Sequence, residues 1–249
     1  MPNQRIHLLG ANLDALSMQE TLAKIEELIR LGKPSQHISI NAGKINLMVR
    51  NPRLAEIINA APLVSADGQS VVLAARYLGR HLPERVAGID LFQELVKLSA
   101  EKGWKPYYFG AEEEVVERVV KLDQERYPEL EIAGYRNGYF EEAESEQIAK
   151  EIRESGADIL FVAFSSPKKE FWIHEYQETL QVPFMMGVGG SFDVLSGKTK
   201  RAPAWMQKAG LEWFYRFQQE PRRLFSRYII GNLEFLFRVW REKRKEDKQ

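Results

Sequence analysis

Three short stretches of the chain place polar side chains beside turn-forming residues. Asp67-Gly68 follows the apolar run Leu63-Val64 and precedes a helical pattern beginning near Ser70. A carboxylate at such a strand-to-helix junction faces a cleft rather than the core, where it can accept a proton as a general base. Aspartate at that place also serves as an ordinary N-cap or turn residue. Ser39 and Asn41 alternate along the β-rich run His37–Ala42, which predicts that both project from one face of a strand. That pairing marks a site, or merely satisfies nearby backbone. The stretch Gly187-Val188-Gly189-Gly190-Ser191-Phe192-Asp193 follows a further apolar run. Gly187, Gly189 and Gly190 make a turn that can admit a nucleotide at a sheet edge, the alternative being a purely structural turn.

The glycine pattern excludes more familiar chemistry. Phe192 stands where a dinucleotide fingerprint needs its third glycine, so a nicotinamide oxidoreductase loses its main support. The same Phe192 lies five residues before Gly197-Lys198-Thr199, where a Walker A loop requires glycine. The four histidines (His7, His37, His81, His174) lack metal-ligand spacing, and there is no Asp-x-Asp pair or serine-hydrolase signature. With no cysteine there is neither a thiolate nucleophile nor a disulfide framework. No metal site and no cofactor are expected.

The elements that must position these residues alternate. Arg5–Gly10, His37–Ala42, Lys105–Gly110, Leu130–Gly134, Ala157–Ser165 and Val182–Val188 read as strands, the last four as buried ones. Helical patterns separate them: Ser17 to Gly32 with a capping box to Glu20, Gly68 to Gly79, Gly88 to Gly103, Glu112 to Arg126, Glu141 to Ser155, and Pro167 to Leu180. The fold class is therefore α/β, with a Rossmann-like, mainly parallel sheet flanked by helices. The stretch from Lys33 to Gly88 is less regular and reads as a subregion of its own.

After Gly197 the character changes, dividing the chain into an α/β core (1–197) and a helical appendage (198–249). The whole 249-residue chain is 44% hydrophobic and 28% charged, as ordinary globular proteins are, and has zero net charge. Residues 198–249 nonetheless carry 14 Lys and Arg against 6 Asp and Glu, a net of +8 on a body of −8. Ten of the 27 aromatic residues fall there too. Such an end suits an anionic partner: nucleic acid, anionic lipid or a phosphorylated substrate. Leu211 to Trp240 is helical apart from Pro221, with Leu224, Phe225, Tyr228, Ile229, Leu233, Leu236 and Trp240 at helical spacing. That stripe packs on the core or presses onto a membrane. No run of about 18 apolar residues predicts a transmembrane helix, and the first residues lack the apolar core of a secretory signal. A cytoplasmic protein is expected.

Several blocks then carry a resemblance over nearly the whole chain. They are Ile40-Asn41-Ala42, Leu63–Gly68, Arg85-Val86-Ala87-Gly88-Ile89-Asp90-Leu91, Ser166-Pro167-Lys168-Lys169-Glu170, Gly187–Asp193, and the run from Arg201-Ala202-Pro203-Ala204-Trp205 through Gly210-Leu211-Glu212-Trp213 to Glu220-Pro221-Arg222-Arg223. In this order and spacing they are similar to the WecG/TagA/CpsF glycosyltransferases. The resemblance implies a Rossmann-like fold and inverting, metal-independent transfer from a UDP-sugar to a polyprenyl-diphosphate-linked sugar. The best-known members transfer N-acetylmannosamine or its uronic acid to N-acetylglucosamine on the lipid; others transfer glucose or related sugars. The family's catalytic base falls on Asp67, its site asparagine on Asn41 and its site arginine on Arg85. Ser39 keeps the hydroxyl of the usual threonine. The family's C-terminal appendage, held to reach the membrane and close over the site, corresponds to the basic segment.

One departure stands out: the family's Pro-Lys-Gln-Glu is here Pro167-Lys168-Lys169-Glu170. An amide both donates and accepts, whereas an ammonium only donates and adds charge, so Lys169 bears on the donor's identity. For an inverting transfer the expected assignment makes Asp67 the base. Arg85 and the tail residues Arg216, Arg223 and Arg227 neutralise the leaving diphosphate, and Gly187–Asp193 receives the uridine nucleotide. The expected partners are a UDP-sugar donor, the lipid-linked acceptor and the cytoplasmic face of an anionic membrane, with no nucleic acid; assembly of like copies stays open. The alternative from another class is a noncatalytic module binding nucleotide or lipid phosphate at the membrane, which would not need Asp67.

Overall fold

The computed structural model describes residues 5–248, except for the side chains of residues 208, 223, 226 and 227. The chain opens with a hairpin of β1 (Arg5–Leu8) and β2 (Ala11–Asp14), paired antiparallel. Its second strand has little signal in the sequence, which is confined to a two-residue turn, Leu9-Gly10, with both φ values positive (51° and 88°). Helix α1 (Met18–Leu31) comes next, and its capping box is present as expected: Ser17 Oγ accepts from Glu20 N at 3.3 Å and Glu20 Oε2 from Ser17 N at 2.8 Å.

The main sheet has six parallel strands. They are β3 (Ser35–Ile40), β4 (Leu63–Ala66), β5 (Pro106–Gly110), β6 (Gly134–Arg136), β7 (Ile159–Ala163) and β8 (Phe184–Gly187), in the spatial order β4-β3-β8-β7-β5-β6. The apolar runs of β5, β7 and β8 are buried on both faces, the signature of parallel strands covered by helices. Along β5 and β7, Tyr108 and Phe161 face one layer while Phe109 and Val162 face the other. The first layer is completed by α1, α5 (Gly88–Lys102) and α6 (Glu113–Arg126), the second by α7 (Ser145–Glu154) and α8 (Lys168–Leu180). A third cluster joins the hairpin, α2 (Ala42–Arg50), α3 (Pro52–Ala60) and α4 (Gln69–Tyr77).

Four expectations need correction. Leu130–Gly134 is not a buried strand: the pairing segment is Gly134–Arg136, a partly exposed edge strand, because an edge needs only one partner. The stretch from Lys33 to Gly88 is no separate subregion, since β3 and β4 are strands of the one sheet. Strand β3 ends at Ile40, so Asn41 is not a strand residue beside Ser39 but the N-cap of α2. The stretch from Leu211 to Trp240 is not one helix interrupted at Pro221. It forms α11 (Glu212–Gln219), α12 (Pro221–Phe225), a π-helical turn (Ser226–Ile230) and α13 (Gly231–Glu246), after short helices α9 (Ser191–Leu195) and α10 (Ala204–Lys208). The π turn rotates the face that α13 presents. Leu224, Phe235 and Val239 are buried, Phe235 and Val239 against the α2–α4 cluster, whereas Leu233, Leu236 and Trp240 of the expected stripe are exposed. Among the described residues no helix is long and apolar enough to cross a membrane.

Candidate active site

Parallel strands point the same way, so the segments leaving their carboxyl ends share one edge of the sheet. Ser39 pairs with Ser65 and Ile40 with Ala66 in register, and Asp67 N donates to Ile40 O at 2.8 Å. Asn41 and Asp67, each one residue past its strand, therefore leave the sheet side by side. Val162 pairs with Gly187, which brings the segments after β7 and β8 to the same edge. Carboxyl ends of parallel strands are where α/β sheets present their ligand sites. A cavity of about 440 Å³ lies there.

Six of the expected core residues line it: Ser39, Asn41, Asp67, Arg85, Lys169 and Gly187. Gly190 joins them from the glycine turn and Arg216 from α11. Gly189 and Asp193 are not in the lining; α9 carries Asp193 past the turn, where its backbone oxygen accepts from Thr199 N and its charge acts on Lys198. The side chains of Arg223 and Arg227 lie outside the described residues.

Asp67 is held at its centre by the start of α5. Its Oδ1 accepts from Gly88 N at 3.1 Å, at the positive end of the helix dipole. Burial raises its pKa, Glu212 adds to the rise, and the Gly88 N–H, Arg85 and Lys44 oppose it. Ser39 Oγ is buried without a hydrogen-bond partner among the described residues. Gly88 sits beside both groups: a Cβ there would make ordinary contact with Ser39 Oγ at 3.4 Å and Asp67 Oδ2 at 3.7 Å. Asn41 spends its amide oxygen on the cap of α2, accepting from Lys44 N at 3.0 Å, so its NH₂ remains to donate.

Two residues of the site were not singled out in the sequence. Lys44, on the first turn of α2, lines the cavity and is paired with buried Glu170 at 2.7 Å. Ser166 Oγ donates to the same Glu170 oxygen at 3.0 Å. Burial alone would raise the Glu170 pKa, but the ammonium groups of Lys44 and Lys169 and these hydrogen bonds hold it low. The second is Glu212, at the start of α11, whose Oε2 accepts from Arg85 Nη1 at 2.8 Å. Its Oε1 lies 3.4 Å from Arg201 Nε, and Arg201 Nη2 reaches Asp90 at 2.6 Å. An alternating chain of charges thus ties the appendage to the core at the cavity mouth. Its hints were a place in the block Gly210-Leu211-Glu212-Trp213 and an acidic side chain inside a strongly basic segment.

Lys169 lies along the glycine turn. A Cβ on Gly187 would meet its Cδ at 2.6 Å and one on Gly189 its Nζ at 3.1 Å, so these glycines make room for the lysine. The turn's openness serves a side chain as well as any nucleotide. Among the described residues no group of three or more His, Asp or Glu could hold a metal ion.

The family model of the WecG/TagA/CpsF glycosyl transferases matches residues 6–249. The chain belongs to that family. It is a glycosyltransferase, in keeping with the resemblance carried by its sequence blocks. An N-acetylglucosaminyldiphosphoundecaprenol N-acetyl-beta-D-mannosaminyltransferase of Bacillus spizizenii is 35% identical over 191 residues, 75% of this chain and 74% of its own length. A Staphylococcus aureus protein of the same name is 31% identical over 247 residues, 97% and 94% of the two chains. The match thus extends through residues 198–249, which supply part of the cavity lining.

Proposed function

We propose that this glycosyltransferase moves N-acetylmannosamine, or a related hexose, from a UDP-sugar to N-acetylglucosamine on undecaprenyl diphosphate. The product would feed a bacterial cell-surface polysaccharide or teichoic acid. The observation that carries the reading is one cavity in which Asp67, Ser39, Asn41 and Arg85 of the core meet Arg216 of the appendage. The relatives' names supply the sugar and the acceptor.

In the proposed step an acceptor hydroxyl oxygen bonds to the anomeric carbon of the donor while the bond from that carbon to UDP breaks on the opposite face. The hydroxyl proton passes to the Asp67 carboxylate, whose place inside the cavity suits a general base. UDP departs carrying the bonding pair. Arg85 and Arg216 are assigned to its charge, a preorganised field aimed where negative charge grows. Ser39 and Asn41 orient sugar hydroxyls, and the turn from Gly187 to Asp193 takes the nucleotide. Arg223 and Arg227 stay candidates for the diphosphate. Residues 198–249 act as the appendage that completes the site at the cytoplasmic membrane surface. Exposed Leu233, Phe237 and Trp240 on α13, beside its basic last turns, suit an anionic interface.

A panel of UDP-sugars offered with polyprenyl-diphosphate-N-acetylglucosamine, products read by mass spectrometry, tests this. One hexose added to the lipid-linked sugar is expected, with UDP-N-acetylmannosamine the best donor and activity retained in EDTA. Absence of transfer from every donor would overturn the reading.

A further inference from the structure

The cavity that holds Asp67 is lined by polar and apolar groups together. Its floor is polar: Ser39, Asn41, Lys44 and Asp67. Arg85 and Arg216 also line the cavity, as do Trp213 and buried Phe235, while Leu73 of α4 and Leu236 of α13 are its exposed apolar members. Leu73 and Leu236 are large aliphatic residues, 53% and 60% exposed, lining a cavity otherwise built for a sugar. Leu73 comes from α4 and Leu236 from α13, far apart in the sequence. Exposed leucines scattered singly need no explanation, but two in the lining of one polar cavity do.

We propose that Leu73 and Leu236 form a lip that receives the first isoprene units of the lipid-linked acceptor. This rests on the reading of the cavity as the site of transfer to such an acceptor. The acceptor is an amphiphile whose parts run sugar, diphosphate, isoprenoid. The cavity combines the same three characters: buried or half-buried polar groups, two arginines, and leucines that are its exposed apolar members. The half-exposed leucines would be covered by the isoprenoid, so the tail contributes apolar contact in addition to holding the acceptor at the bilayer. The lip makes the enzyme sensitive to the tail next to the diphosphate even where there is no membrane.

The test uses the full chain and two acceptors with identical N-acetylglucosaminyl diphosphate heads, one an ethyl ester and one a farnesyl ester. Both are kept below their aggregation concentrations, without vesicles or detergent. The readout is the ratio of kcat/KM, farnesyl over ethyl. Wild type is expected to favour farnesyl by about tenfold or more, and Leu73→Asn/Leu236→Gln to bring the ratio close to one. Both positions are half exposed, so melting should hold, and a melting curve checks it. In parallel, farnesyl diphosphate and ethyl diphosphate, which lack the sugar, are titrated calorimetrically against both proteins. Tail-dependent binding that the variant loses supports the lip even if no sugar is transferred, in which case the transfer reading alone fails. Transfer with the same ratio in both proteins overturns the lip and leaves the transfer reading standing. A defect seen only with anionic vesicles, equal for both tails, would make the mouth a bilayer contact instead. A changed sedimentation coefficient in the variant would make it an interface between copies. Either result also overturns the proposal.

Discussion

The floor and the roof of the cavity are built on different physics. The floor hangs from strand ends whose register is fixed by backbone hydrogen bonds, and its charges are buried and paired. Lys44 and Glu170 are both about 5% exposed or less. The roof is attached by polar contacts of partly exposed groups, the ion chain Arg85–Glu212–Arg201–Asp90, the pairs Arg50–Glu234 and Arg80–Glu246 and the hydrogen bonds of Asn46 with Gly231 and Arg238, together with a few buried apolar side chains. A buried pair is costly to break, whereas partly hydrated pairs exchange partners at small cost. The contrast suits a floor that keeps the reacting groups in place and a roof that yields to a large amphiphile.

The sharpest way to break the comparison is to damage the floor. Lys44→Met leaves the buried Glu170 carboxylate without its hydrogen-bonded cation, with Lys169 and Ser166 still acting on it, and should cost about 3 kcal/mol of stability in urea unfolding. Adding Glu170→Gln should recover much of that. An equal loss in the double variant would show that the pair is not what secures the floor.

Asp67→Asn should keep the fold and lower turnover by about a hundredfold or more. Because burial raises the folded-state pKa of Asp67, its ionisation opposes folding. Its favourable contribution is present below the ordinary aspartate pKa and is lost as pH rises through the raised value. The variant should therefore melt no lower than wild type at neutral pH. As a base the residue must be ionised, so wild-type activity should fall with acid at a pH above the usual aspartate range. Near wild-type turnover in the variant would remove Asp67 from the chemistry.

A smaller effect is expected at the roof. Glu212→Gln removes a charge that raises the Asp67 pKa, so the acid limb of the rate profile should move to lower pH. The weakened tie to Arg85 should alter the donor KM by about fivefold, the scale of a partly exposed pair. An unmoved acid limb would show that Glu212 only holds the appendage in place.

Smallest of all, Lys169→Gln restores the family residue beside the glycine turn. Losing one of the two ammonium groups that act on Glu170 should lower stability less than Lys44→Met does, while relative rates across the UDP-sugar panel shift. Identical relative rates would take Lys169 out of donor selection.

Much of the fold was legible because its signals are local. The capping box at Ser17, the apolar runs of β5, β7 and β8, and Gly32 and Gly103 ending helices each act within a few residues. Asp67, Ser39, Asn41 and Arg85, singled out by a strand-to-helix junction or by family blocks, do line one cavity. The errors fell where one strand edge or one turn decided matters. They include the end of β3 before Asn41, the displaced β6, β4 joining the one sheet, and the π turn that splits the apolar stripe of residues 211–240 between core and solvent, and β2 beyond its tight turn went unread.

The sequence by itself determined a parallel α/β core, a basic appendage and membership of a glycosyltransferase family, because periodicity and ordered motif blocks are written in one dimension. Only the tertiary structure decided which charges share the cavity. Lys44 meets Glu170 across 126 residues, and Arg85 meets Glu212 across 127. No local pattern encodes such pairs. They exist because the order β4-β3-β8-β7 stacks distant strand ends at one edge, and because the appendage folds back over them. The same folding set Lys169 into the space left by Gly187 and Gly189 and carried Asp193 out of the lining. Side-chain direction at a sheet edge depends on the neighbours the topology supplies, which residue type and spacing do not specify.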